Sequence, residues 1–279
     1  MKIIRKLNAP FFILIVFFLA LQSCKKDKTE LEDFQSSAQD IGQMESIYTD
    51  IDNLVAEASS KDNFSGRYSN PLEADQFVIN SCATITNDSL NGILTIDFGT
   101  ACVGRDGRTR SGIIQINYSG GRYFDVGSTR TVSFINYYID GLHVEGSRNI
   151  INNGFNSAGN MNWTITATNM MVTRPDGSWH SRSGQRNREM IAGYGDSLWV
   201  NDVYLINGTG SGTNNQGNGS TSILTNLVRD NSCHWIIRGT IELTPTSRPS
   251  RLIDFGNGTC DNLGTVTMNG NTRTIRLRP

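Results

Sequence analysis

The side chains able to do chemistry are few and scattered. Three histidines, His143, His180 and His234, stand far apart and show none of the spacings of a zinc site. Asp97 and Asp254 occupy equivalent places in two Ile-Asp-Phe-Gly segments. As a pair they could serve as calcium ligands or as two carboxylates. Calcium loops concentrate several acids within about 12 residues, however, and each aspartate here stands nearly alone. The expectation is that each carboxylate accepts backbone N–H bonds in a turn just before its glycine. Gly104-Arg105-Asp106-Gly107-Arg108 is glycine-rich but lacks the lysine and following helix of a phosphate loop. No Gly-x-Ser-x-Gly elbow occurs, so nothing local supports a serine hydrolase. No metal site, cofactor or catalytic constellation is expected.

The strongest candidate for a ligand surface is a basic hairpin. Arg174, Trp179, His180, Arg182, Arg186 and Arg188 fall within 15 residues. At period 2, His180, Arg182, Arg186 and Arg188 share one face. Arg and Trp offer directional hydrogen bonds and stacking for an anion or a carbohydrate. The alternative is a solvated sheet face whose charges discourage edge-to-edge aggregation.

Five cysteines carry the remaining chemistry. Cys24 closes an N-terminal segment that reads as an address. Lys2, Arg5 and Lys6 form a positive region, and Phe11 to Leu21 is an unbroken apolar run of eleven residues. That run is too short to span a bilayer, which needs about 20 residues, but it suits a signal peptide. It ends at Leu21-Gln22-Ser23-Cys24, which resembles the lipobox of bacterial lipoproteins. The resemblance implies cleavage after residue 23 and diacylation of Cys24. Two or more acyl chains anchor stably where one binds marginally. Lys25, rather than aspartate, follows the cysteine. By the same resemblance this implies the outer membrane of the cell envelope, on either face.

Loss of residues 1–23 leaves 256 residues, with 22 basic against 26 acidic side chains and a net charge of −4. Such a balance gives no electrostatic drive toward nucleic acid. The expected partners are a membrane, through the lipid, and a glycan or envelope protein. Cys82, Cys102, Cys233 and Cys260 remain, an even number in an oxidising compartment, which suggests two disulfides.

These residues must be positioned by mostly extended structure. Residues 24–60 comprise a tether and the one convincing helix. From 29 to 59, Leu31, Phe34, Ala38, Ile41, Met44, Ile47 or Tyr48, Ile51, Leu54 and Ala58 recur every three or four residues. Its polar face is acidic, and the stripe is expected to cover the edge or face of a β domain spanning 61–279. From about residue 75 the period becomes 2. Asn91-Gly92, Asp140-Gly141 and Asn269-Gly270 suit two-residue hairpins, whose central residues need positive φ. Gly208 to Gly219 is expected as a floppy loop. The whole predicts an all-β antiparallel meander of about 12 strands, as a curved sheet, half-barrel or sandwich.

A repeat organises the meander. Asn80-Ser81-Cys82 recurs as Asn231-Ser232-Cys233, Ile96-Asp97-Phe98-Gly99 recurs as Ile253-Asp254-Phe255-Gly256, and each unit closes on a cysteine. A two-residue turn at Asn91-Gly92 puts Leu90 opposite Ile93 and Cys82 next to Cys102, with a bulge at Gly99 closing the gap. A reversal at Thr246-Ser247 puts Cys233 opposite Cys260. The predicted pairs are therefore Cys82–Cys102 (unit 80–102) and Cys233–Cys260 (unit 231–260). The paired Asp-Phe-Gly segments and the run Cys260 to Gly270 resemble uncharacterised lipoproteins of the Bacteroidota. That resemblance brings no activity with it; the residues themselves, with no catalytic constellation, point to a non-catalytic binding or scaffolding module. A carrier of hydrophobic ligands in an open half-barrel and a glycan-acting enzyme are the alternatives.

Overall fold

Alternating apolar and polar residues from position 84 onward form strands throughout. The computed structural model describes residues 37–59, 82–196, 199–215 and 217–278. Helix α1 covers residues 37–59. It is followed by β1 (Thr84–Asp88), β2 (Ile93–Asp97), β3 (Cys102–Val103), β4 (Thr109–Ser119), β5 (Thr129–Ile139), β6 (Leu142–Phe155) and β7 (Met161–Thr173). Then come β8 (Trp179–Ala192), a single helical turn (Trp199–Asn201), β9 (Val203–Asn214), β10 (Gly217–Asp230), β11 (Ile236–Pro245), β12 (Arg251–Asn257), β13 (Leu263–Met268) and β14 (Asn271–Arg276). All strands belong to one antiparallel sheet in sequence order, with the two-residue β3 paired to β4 off the main path. The fold is thus the expected all-β meander with one N-terminal helix, as a single sheet and not a sandwich. The expected signal peptide, Cys24, the expected tether, the part of the expected helix before residue 37 and Asn80-Ser81 lie outside the described residues.

The sheet curves around α1. From β4 to β14 is ten strand spacings, roughly 48 Å if laid flat, against a helix about 10–12 Å wide. Yet α1 bonds to Arg110 of β4, Arg148 of β6, Arg186 of β8 and the Arg276 carbonyl of β14. Only a strongly bent sheet allows one helix to reach all four. No residue of α1 is exposed. Its first turns, with Ala38 and Ile41, pack among β9–β14, and Met44 to Ala58 pack against the earlier strands. The helix therefore does more than cover an edge; it fills the concave side.

Paired irregularities supply part of the bend. Gly112 of β4 sits at φ 79° opposite Asn136 of β5 at φ 48°, where the register slips. Gly146 of β6 (φ 106°) and Asn169 of β7 (φ 47°) repeat the arrangement. Such bulges add local twist and bend the bulged strand.

Two local expectations need correction. Asn91-Gly92 does not form a two-residue hairpin: Asp88 pairs with Ile93 across a four-residue loop, and Leu90 points into solvent. The Asp88 carboxylate accepts from the Asn91 backbone N–H and amide, which fixes the wider turn. Gly208–Gly219 is not a floppy loop but the facing ends of β9 and β10. The glycines have a packing role. A Cβ on Gly212 would lie 2.7 Å from Arg182 Cγ, and one on Gly208 would lie 3.1 Å from Arg186 Cγ. The bare inner face of β9 leaves room for arginine stems from β8.

The other turns form as expected. Ile139 pairs with Leu142 around Asp140-Gly141, and Met268 with Asn271 around Asn269-Gly270, all four turn residues at positive φ. Gly99 N–H donates to Asp97 (2.8 Å) and Gly256 N–H to Asp254 (2.9 Å), so both repeat aspartates cap their own turns. Disulfides join Cys82 to Cys102 and Cys233 to Cys260, with Cα separations of 5.4 and 5.7 Å.

Gly112→Ala is expected to be markedly destabilising. The new Cβ would fall 1.9 Å from the Asn136 carbonyl oxygen at positive φ, a strain of about 1–3 kcal/mol before the clash is relieved. Gly107→Ala, also at positive φ but with open space around it, should cost clearly less. Urea unfolding of the two variants compares them directly.

Candidate functional site

The arginines flagged in the sequence do share a face, but it is the inner one. His180, Arg182 and Arg188 are buried, Arg186 is nearly so, and Trp179 lies half-buried on the opposite side of β8. They form no open ligand strip because α1 covers them. The helix carries Asp40, Glu45, Asp50, Asp52 and Glu57 and no lysine or arginine between residues 37 and 59. These acids meet the sheet's arginines one strand after another.

Asp52 accepts Arg148 Nη2 at 2.7 and 2.8 Å and Nε at 3.1 Å. The Arg148 guanidinium also lies 4.5 Å over the Tyr48 ring. Glu45 binds Arg186 in a two-point contact and stands 3.5 Å from Arg182. Arg182 Nη2 donates to the Thr221 hydroxyl. Arg188 donates to Asn53 (2.8 Å) with its guanidinium 3.6 Å over the Tyr204 ring. Arg174 bonds Asp40 (2.7 Å) and Gln43 (2.9 Å) at the helix start.

Asp50 binds Arg110, which also takes both oxygens of Asp106 at 3.0 and 2.6 Å. Burial works against the Arg110 charge, but Asp50 and Asp106 outweigh it and raise its pKa. Burial equally resists the Asp106 charge, and the Arg110 bonds overcome that and hold its carboxyl below the usual range. Matched pairs of this kind are the condition for burying charge at all.

Next to this network is a cavity of about 360 Å³. One wall is the second half of α1, with Ser46, Asp50, Asn53 and Glu57. Another is the loop between β3 and β4, with Arg105, Asp106 and Arg108. The third is the segment from the end of β10, with Arg229, Asn231, Ser232 and His234. The Cys233–Cys260 disulfide ties this third wall down. Asn231 links it further, accepting from Asn53 (3.4 Å) and donating to the Trp199 carbonyl (3.2 Å). The volume falls at the low end of small-molecule sites, about 300–1,000 Å³. The lining is polar, unlike the usual apolar site. His234 is half-buried, and burial, then Arg108 and Arg229, push its pKa down, so it is neutral at neutral pH.

The other histidines do different things. His143 stacks on Tyr138 at 4.6 Å and lies 3.5 Å from Glu145. His180 is buried, with neither ring nitrogen hydrogen-bonded, and its pKa is pushed down to about 3 by burial, then by Arg174, Arg182 and Arg278. Among the described residues, no three His, Cys, Asp or Glu side chains converge as a metal would require. No protein-family model, curated protein or solved structure matches the chain.

The cavity groups, and the helix acids as arginine partners, are absent from the sequence-level candidates. A signal was available for the second set. Arg148 has the same parity as Val144 and Ile150 across β6, counting the bulge, and Arg110 that of Ile114, so both occupy core positions of their strands.

Asp52→Ala leaves Arg148 as an unpaired buried charge and should cost about 3–5 kcal/mol in urea unfolding. The double change Asp52→Leu with Arg148→Met should recover most of that loss. If the single and double variants are equally unstable, the penalty lies in packing and not in charge. His180 gives a pH effect of definite sign. Its folded pKa of about 3 lies below the ordinary 6.5, so between those values the unfolded chain binds a proton that the folded chain does not. Stability therefore falls as pH drops from 6.5 toward 3. Denaturation midpoints of His180→Phe measured at pH 7 and 4.5 should differ less than those of the unaltered protein.

Proposed function

We propose that this chain is a non-catalytic envelope lipoprotein, held to the outer membrane through acylated Cys24, whose β domain binds a small polar ligand. The single observation that carries the binding role is the polar cavity of about 360 Å³ between α1, the β3–β4 loop and the disulfide-tied Asn231–His234 segment. Its walls are fixed by charge pairs and a covalent link, which is the preorganisation a binding site needs. The lipobox-like Leu21–Cys24 and the preceding apolar run support the anchor.

The chemistry of the cavity favours binding over catalysis. Arg110 binds both Asp50 and Asp106, and its bonds hold the Asp106 carboxyl below the usual range. A general acid in glycoside hydrolysis needs a carboxyl whose pKa is raised. The carrier reading fares worse, because α1 fills the concave face that a hydrophobic ligand would use and brings charged contacts to it. A glycan or envelope metabolite with polar groups suits the lining better than an acyl chain.

Two measurements test the proposal. Palmitate labelling should mark the full chain, and Cys24→Ser should lose the label and leave the membrane fraction. A thermal-shift screen of glycans and small solutes should give hits that Ser232→Trp, at the exposed lip of the cavity, weakens. Membrane retention of the serine variant would remove the anchor, and hits indifferent to Ser232→Trp would remove the cavity as the site.

A further inference from the structure

Among the described residues, one buried charge in the cavity wall has no carboxylate paired with it. Arg229 is 7% exposed. Its Nη1 donates to the backbone carbonyls of Asp230 (2.9 Å) and Trp235 (3.3 Å), and its Nε has no hydrogen-bond partner. The other inward arginines differ. Arg110, Arg148 and Arg186 meet carboxylates of α1. Arg188 and Arg130 also lack a paired carboxylate, but Arg188 is held by Asn53 and the Tyr204 ring, Arg130 by three backbone carbonyls between the Tyr118 and Tyr123 rings, and neither lines the cavity. Burial, then the Arg188 charge, push the Arg229 pKa down to about 10, still leaving a full positive charge at neutral pH. An uncompensated buried charge is among the costliest features a fold can retain.

Two further groups stand on the same cavity. Arg108 donates Nε to Asp140 (2.8 Å), while its Nη2 has no partner. His234 adds a neutral imidazole whose proton can be offered without a fixed charge. Three acids also line the space: Asp50 and Asp106 are already engaged by Arg110, and Glu57 has contacts of its own. Asp50 and Asp230 act on Arg229 only from a distance, so among the described residues no carboxylate pairs with it inside the cavity.

The geometry points to a binding site for a small ligand bearing an oxyanion, a phosphate or carboxylate group, with Arg229 and Arg108 as its charge partners and His234 as a further hydrogen-bond donor. The inference rests on the reading of this cavity as the ligand site. Guanidinium groups favour such oxyanions because their fork of N–H donors matches two oxygens at once. The space of about 360 Å³ exceeds a bare ion and admits a molecule of sugar size.

The test uses the full-length lipoprotein in detergent. Inorganic phosphate and glucuronate are titrated separately at constant ionic strength, with chloride and neutral glucose as controls, and the thermal midpoint is read. A saturable rise with phosphate or glucuronate beyond chloride is expected, and the responding anion identifies the head group. Arg229→Met should weaken the apparent affinity at least tenfold while leaving the ligand-free protein as stable as the original or more so, since it removes an unpaired charge. A merely structural arginine would give the opposite, a less stable protein with its anion response intact.

If Arg229→Met does not fold, Arg229→Lys keeps the charge but not the fork, and should show the same loss. Binding of glucuronate, whose charge does not change over this range, should also tighten as pH falls from 7.5 to 6, because an anion added to the Arg108, Arg229, Asp50 and Asp106 surroundings of His234 favours its protonation. His234→Gln should flatten that dependence. An anion response no larger than that of chloride, or one unchanged by the Arg229 variants, overturns the inference. A saturable response to glucose alone would also overturn it, while preserving the cavity as a binding site.

Discussion

Everything in this structure depends on neutralising a ring of inward-facing arginines. A sheet that places Arg110, Arg148, Arg182, Arg186 and Arg188 on its concave side cannot close over them in apolar surroundings, because isolated buried charge is too costly. The acidic helix makes the burial possible. Glu45 faces β8, and farther along α1 Asp50 and Asp52, on different sides of one turn, present carboxylates to β4 and β6. The apolar side chains between them, Met44, Ile47, Ile51 and Leu54, fill the space the arginines leave. Helix and sheet therefore specify each other: neither buries its charges without its partner. The same demand explains the glycines on the inner face of β9, which leave room for the stems of Arg182 and Arg186.

How much of this could be read beforehand follows from the range of each cause. The strands, two of the three Asn/Asp-Gly hairpins, the turn-capping role of Asp97 and Asp254 and both disulfides depend on neighbours within about 30 residues, and were legible. Asn91-Gly92 was misread because Asp88, three residues upstream, offers a side-chain bond that stabilises a wider loop. The glycine-rich segment was misread because the advantage of a missing side chain lies with arginines on the next strand. The burial of the basic hairpin was hidden for a stronger reason. His180 to Arg188 alternate as a half-exposed strand should, and only a helix more than 130 residues earlier turns that face into an interior. The cavity was hidden for the same reason, since its three walls come from residues near 50, 106 and 231.

The cavity differs in kind from the network beside it. Where α1 meets β4, β6 and β8, Arg110, Arg148 and Arg186 each have an acid and Arg188 has Asn53 and the Tyr204 ring; at the end of β10 the pattern stops, and Arg229 has only carbonyl oxygens. The second disulfide and Asn231 hold this region in place. Rigidity without internal satisfaction is unusual, because a flexible wall would relax toward solvent or toward Asp50. Holding the arginine where it cannot reach a carboxylate costs stability in the empty protein, and the covalent tie makes that cost sustainable. A site arranged in this way responds to a charge supplied from outside.

The position of α1 in the chain gives the anchor a mechanical meaning as well. On the proposed anchor, 12 residues separate acylated Cys24 from the described start of α1, a reach of at most about 45 Å. The tether would thus join the membrane to the most buried element of the domain and not to an edge strand. Among the described contacts, a pull on the lipid would load those of Gln39 and Asp40 with Arg276, Arg278 and Arg174 first, and then the ion pairs farther along the helix. Those contacts lie across the sheet from end to end, so the load is shared by many strands. An edge strand so attached would be peeled one hydrogen bond at a time. On the proposed anchor, placing the acidic helix between the lipid and the sheet would therefore serve two demands with one element: it neutralises the arginines beside the cavity, and it would tie that region to the membrane.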